Sequence, residues 1–324
     1  AAPCGPQLPR GAELAGALLE PLATLPALAG RVNTSTRVEG IARRGLLKHE
    51  EIASDERARR EFRLLLSLPD GSESVATADI VIDATGTYGT PNRLGDGGID
   101  AIGERAFEHR IERFLPDLDA DGASWAGQTI LLTGAGHSAQ TAARDLAAFA
   151  PQAPGTRVVW AVRAAEPTWG SVASDPLPER ARLNASAQQL ASGASANVQV
   201  RVGAVCEALA GRDGRLVVTL CNGDREEVEV DRVLALNGGV GDASLYRQLQ
   251  VHECYATSGP MKLATTLLGE ESGDCLTQSS HGPETLRNPE PGFFILGAKS
   301  YGRNSQFLLR IGWQQVDDVF GALL

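Results

Sequence analysis

At 324 residues, with 43% hydrophobic and 22% charged residues, the chain is long enough for two domains, each with its own core. A net charge of −10 argues against a nucleic-acid face, which would need a basic stripe, although an acidic protein still binds phosphate locally. The five cysteines are scattered and include no C-x-x-C pair, which excludes a zinc ribbon and a dithiol centre; reduced thiols in a cytoplasmic protein are expected.

The first element is one Leu-rich helix over AELAGALLEPLATL. Glu20, Pro21 and Pro26 interrupt its apolar run, which is neither a membrane span nor a signal core. Residues 31–86 then read as strands: RVNTSTRVEGIARRG opens, FRLLLSL follows, PDGS turns the chain, and ADIVIDATG closes at Gly86. At Ala84-Thr85-Gly86 a small residue permits close approach of a ligand to the backbone, the alternative being an ordinary strand end after a turn-forming Asp83.

TILLTGAGHSAQTAARDLAAF, residues 129–149, is a strand, a glycine turn and an Ala-rich helix. Gly134 permits the turn and Gly136 lets the backbone approach a pyrophosphate, while Ala139 replaces the third glycine of the dinucleotide fingerprint. His137 either grazes the cofactor or orients the helix start, and a plain strand-to-helix turn remains the alternative for the whole stretch. The next strand, RVVWAVR, ends in Arg163 where an NAD site carries an acid, so a 2′-phosphate and NADP are favoured. Glu166 is the residue that would reverse this preference, and a solvated strand-end arginine is the other reading.

A polar, helical segment leads to residues 198–237, where NVQVRVGAVCEAL, RLVVTL, EEVEV and VDRVLALNG form a second run of strands. Its order matches residues 31–86, an internal repeat of supersecondary structure whose first copy has no glycine fingerprint. The fingerprint at Gly134 is therefore expected to be the second of two, with the first missing from the chain. Near the end, GFFILGAKSYGRNSQFLLRIGWQQV reads as a buried strand, a glycine loop and an amphipathic helix N-capped by Asn304 or Ser305. Lys299, Tyr301 and Arg303 either line a site or are exposed loop residues. Cys275 either touches a ligand or fills core space. The histidines never fall at metal-ligand spacing, so no metal is expected, and GHSAQ is not a G-x-S-x-G nucleophile elbow.

DIVIDATGTYGTPN, TILLTGAGHSA and FFILGAKSYGRNSQFLL, in that order, resemble the two-dinucleotide-binding-domain flavoproteins, in the branch near flavin-containing monooxygenases and related FAD-dependent oxidoreductases. The resemblance runs from about Gly11 onward. It implies an α/β, Rossmann-like three-layer FAD/NAD(P)-binding fold with β-meanders. The NADP domain, 124–240, would be inserted between two FAD-type parts, 1–123 and 241–324. Thr85 and Gly86 would lie near FAD, with Gly297, Asn304, Ser305 and Phe307 approaching the flavin ring. Gly134, Gly136, His137, Ser138 and Ala139 would hold NADPH, with Arg163 at its 2′-phosphate.

The implied activity is that of an FAD-dependent NAD(P)H oxidoreductase, monooxygenase-like or simply reducing. The chain departs from the pattern at the first glycine fingerprint and at the histidine signature before the NADP domain, where GERAFEHRIERFLPDL offers only His109. The missing C-x-x-C argues against the disulfide-reductase branch. An NADP-binding protein without flavin, a sensor or vestigial enzyme, is the alternative, and an interaction protein on a Rossmann scaffold a third. Nothing in the sequence names the substrate, the catalytic residues or the oligomeric state.

Overall fold

The computed structural model describes residues 9–172, 175, 177–269 and 280–323; Cys4 and Cys275 lie outside them. The chain forms two compact units, Ala1–Thr85 with Asp242–Leu324, and Gly86–Gly241.

The first unit opens with helical turns over Gly11–Leu14, Ala15–Leu19 and Glu20–Ala23, the middle piece π-helical, and none of their residues is buried. Strands β1 (Arg37–Arg43), β2 (Phe62–Ser67) and β3 (Glu73–Ala78) form an antiparallel meander in that order. The sequence reading placed no strand at Glu73–Ala78, between the turn at PDGS and the closing strand at ADIVIDATG. The chain breaks at Asp79-Ile80, and β4 (Val81–Asp83) leaves the meander to pair in parallel with the C-terminal strand Phe293–Ile295. Ile41, Phe62, Val81, Tyr246, Leu249, Phe293 and Ile295 pack where the meander meets this pair. A buried carboxylate, Glu290, organises the long β1–β2 connection: it accepts from Arg43 Nε at 2.6 Å, Arg57 NH2 at 2.8 Å and the Gln250 N–H at 2.8 Å.

The final helix, Leu309–Leu323, starts later than Asn304 or Ser305. Asn304 Oδ1 instead accepts the Gln306 N–H in a local turn, and the N–H groups of Ile311 and Gly312 reach Leu308 O. The side-chain oxygen that makes Asn a good cap is spent one turn too early.

In the second unit, five parallel strands lie in the order β5 (Ile111–Glu112), β12 (Arg232–Ala235), β6 (Thr129–Thr133), β7 (Arg157–Val162), β8 (Val198–Val202). Alternation along β6 separates two cores. Ile130 and Leu132 face Leu146, Trp160 and Leu190 on the helix side, and Leu131 faces Leu216, Val218 and Val230 on the other. That second side is covered by the antiparallel meander β9 (Val205–Arg212), β10 (Arg215–Cys221), β11 (Arg225–Val230). Helices, sheet and meander make the three layers. Both meanders are followed directly by a strand that pairs in parallel, β4 or β12, so the repeat is one of structure.

Residues 86–117 belong to this unit through specific contacts. Ile102 bridges Ala208, and Leu209 N–H donates to Ile102 O at 2.7 Å. The buried Glu104 carboxylate gathers the N–H groups of Leu94 and Ala101 together with Arg113. The compact unit thus takes in residues that the sequence reading grouped with the first FAD-type part.

Candidate functional site

Thr133 ends β6, and the chain turns through Gly134, Ala135 and Gly136 into the helix His137–Phe149. β7 and β8 lie to one side of β6 and β12 to the other, so the turn emerges where the strand order reverses, the usual ligand crevice of an open parallel sheet. The two glycines differ. Gly134 has φ +111°, and a Cβ there would sit 2.4 Å from Leu236 O, so it serves the approach of β6 to β12. Gly136 has ordinary extended dihedrals, and its Cβ would meet nothing within 4 Å. No side chain caps the helix, whose first N–H groups have no intrahelical partner by geometry. An open face at Gly136 above free N–H donors is what a pyrophosphate requires.

The turn is held from several directions. Trp160 Nε1 donates to Gly134 O at 2.8 Å, and Gln140 Nε2 donates to both Ala135 O and Trp169 O. Thr133 Oγ1 donates to Asn237 Oδ1 at 3.0 Å, and Asn92 Nδ2 donates to Asn237 O at 3.0 Å. The sequence reading gave Asn237 and Asn92 no role, although they lie in the stretches VDRVLALNG and DIVIDATGTYGTPN that it singled out. Trp160 and Trp169 pack as a tilted pair with centroids 4.9 Å apart. His137 and Ser138 are exposed at the helix start, and Ala139 is buried against the sheet. Partial desolvation and the Arg180 charge lower the His137 pKa, against a smaller opposing effect of Asp175. Arg163 and Glu166 are both exposed just after β7.

In the first unit, the parallel pairing of β4 with β13 (Phe293–Ile295) sets Asp83 beside Ile295, and Leu296 N–H donates to Asp83 O at 2.9 Å. Thr85 and Gly297, far apart in sequence, are thereby brought together. Gly297 (φ +73°) occupies the left-handed region, as does Gly86 (φ +71°), the first residue of the second unit, and a Cβ at either would meet nothing within 4 Å. Lys299 and Tyr301 are buried, not exposed loop residues, whereas Arg303 is exposed. Phe307 packs edge-on against Tyr301 at 5.4 Å, so its ring is engaged in the core. Asn304 N–H donates to Tyr301 O at 3.0 Å, and Ser305 is exposed.

Burial pushes the Cys206 thiol up to about 12, which makes it inert. Among the described residues, no cluster of three or more His, Cys, Asp or Glu is arranged to hold a metal ion. No helix among them is long and apolar enough to cross a membrane.

No protein-family model and no curated protein matches the chain. Solved structures do. The bacillithiol disulfide reductase Bdr of Bacillus cereus is 18% identical with a TM-score of 0.65, over 96% of this chain and 76% of that one. A thioredoxin reductase of T. acidophilum is 14% identical with a TM-score of 0.55, over 89% and 74%. A cadaverine monooxygenase of Erwinia amylovora, bound to FAD, is 13% identical with a TM-score of 0.52, over 91% and 71%. The chain has the Rossmann-like FAD/NAD(P)-binding fold of the two-dinucleotide-binding-domain flavoproteins.

Proposed function

We propose that this chain is an FAD-dependent NAD(P)H oxidoreductase that passes hydride from NADPH to flavin and onward to an acceptor. The observation that carries this is the pairing of β4 with β13, which sets two glycine turns with open faces, Gly86 and Gly297, at the ends of adjacent parallel strands. A flavin bound there supplies the redox chemistry; the protein's part is binding and orientation. Thr85, Gly86 and Gly297 hold it, with the Asn304–Phe307 turn near its ring. Gly134, Gly136, His137, Ser138 and Ala139 hold the NADPH pyrophosphate, its charge met by helix N–H groups. Arg163 donates paired hydrogen bonds to the 2′-phosphate, and Glu166, on the same exposed segment, disfavours it.

Residues 124–240 act as the nucleotide domain between the two FAD-type parts, 1–123 and 241–324. The sequence has no C-x-x-C, so reduction by a dithiol of this chain is not part of the proposal. The alternative reading is NADP binding without flavin.

Visible absorbance separates the two. The protein is titrated with FAD, then with NADPH under anaerobic conditions. A bound flavin band that NADPH bleaches supports the oxidoreductase. A colourless protein that ignores FAD and still binds NADPH leaves the second reading.

A further inference from the structure

Lys299 is 2% exposed, and every donor of its ammonium is used. Nζ donates to Asp83 Oδ2 at 2.6 Å, to Thr85 Oγ1 at 3.1 Å and to Asp242 O at 2.8 Å. It also lies 5.0 Å from the centroid of the Tyr246 ring, whose hydroxyl donates to Glu253. Asp83 completes the arrangement with its other oxygen, which accepts the Thr85 N–H at 3.1 Å and the Thr85 hydroxyl at 2.8 Å. The partners come from three separate stretches of chain. Thr85 is the last residue of the first unit before the chain leaves it, Asp242 the first on its return, and Lys299 belongs to the turn Gly297–Tyr301.

A buried ion pair is a poor way to gain stability, because the cost of removing both charges from water offsets most of their attraction. Apolar residues of similar size fill such a space as well. What they lack is direction. An ammonium with three fixed acceptors sets the spacing of three backbone segments, and two of these carry the open glycines Gly86 and Gly297.

We propose that Lys299 is a positioning residue for the flavin site: it pins the Ala84–Gly86 turn, the Gly297 turn and the segment starting at Asp242 into one element. The proposal rests on the flavin reading above for its ligand, but not for the pinning itself.

The test compares wild type with Lys299→Met and with the charge-balanced pair Asp83→Asn/Lys299→Met. The double variant strands no buried charge and stays folded if the single one fails. Three quantities are read: the melting temperature, FAD affinity by quenching of flavin fluorescence, and amide hydrogen exchange at Thr85, Ser244 and Leu296, with β9 and β10 as control. In the double variant the melting temperature stays near that of wild type. Exchange at the three amides rises together, by tenfold or more, while the control strands are unchanged, and the FAD dissociation constant rises at least tenfold.

A rise at only one segment, or none, overturns the pin. A joint rise with unchanged FAD affinity overturns its role in positioning. If wild type binds no FAD, the flavin reading falls, and with it the positioning role, while the exchange data alone uphold or overturn the pin.

Discussion

Substituting alanine at Gly134 and at Gly136 separately asks which glycine serves the fold and which serves the ligand. At Gly134 the new methyl would lie 2.4 Å from Leu236 O and 2.9 Å from its carbonyl carbon, about 1 Å inside normal contact. Both atoms are backbone of the segment leaving β12, so relief requires the ends of β6 and β12 to part. The left-handed φ of +111° adds roughly 1–2 kcal/mol and the overpacking roughly 1–3 kcal/mol. Gly134→Ala is therefore expected to destabilise by about 2–5 kcal/mol, and the melting temperature to fall by roughly 5–15 °C for a unit of this size.

At Gly136 the dihedrals suit any residue and the methyl meets nothing within 4 Å. Exchanging an N-cap glycine for alanine costs about 1 kcal/mol or less. The same methyl occupies the space proposed for the pyrophosphate, so NADPH affinity is expected to fall about 10- to 100-fold, or roughly 1.4–2.8 kcal/mol. Thermal melting by circular dichroism and NADPH titration by calorimetry measure the two effects. A Gly136→Ala protein that binds NADPH as wild type does would refute the pyrophosphate cradle. A Gly134→Ala protein with unchanged melting would refute the packing argument.

Arg163→Ala is expected to weaken NADPH by about 10- to 100-fold, the worth of charge-assisted hydrogen bonds, and to leave NADH affinity unchanged; equal losses for both nucleotides, by titration, would remove Arg163 from the 2′-phosphate. Glu290→Gln leaves the Arg43 and Arg57 guanidinium groups buried without a counter-charge and is expected to cost about 3–5 kcal/mol in urea unfolding. The pH dependence of that stability is also set. Burial pushes the Glu290 pKa up, but hydrogen bonds from Arg57, Arg43 and the Gln250 N–H outweigh it and hold it below the ordinary value of 4.5. With the folded pKa depressed, the contribution is complete above about pH 4.5 and is lost as pH falls through the folded value. The stability gap between wild type and Glu290→Gln should accordingly be constant above about pH 4.5 and narrow as the pH falls below it; a gap that stays constant into that acid range would show that Glu290 does not titrate in this way.

Period-two alternation, the Gly134–Gly136 turn with its Ala-rich helix, and the matching order of two strand runs are local properties, and local sterics suffice to express them. They carried the fold class and the strand–glycine–helix turn, and the joint order of three motifs carried the resemblance. Tertiary structure alone decided the pairings. ADIVIDATG reads as one closing strand, yet Ala78 ends the strand paired with β2 while Val81–Asp83 finds Phe293–Ile295, more than two hundred residues away. Asn304 has the chemistry of a helix cap, but its oxygen turns to Gln306, so the helix waits until Leu309. Lys299 reads equally as a site residue or an exposed loop residue until Asp83, Thr85 and Asp242 converge on its ammonium. Propensity is written residue by residue, whereas a buried ion pair or a parallel ladder exists only once distant segments have met, and no short window of sequence contains both partners.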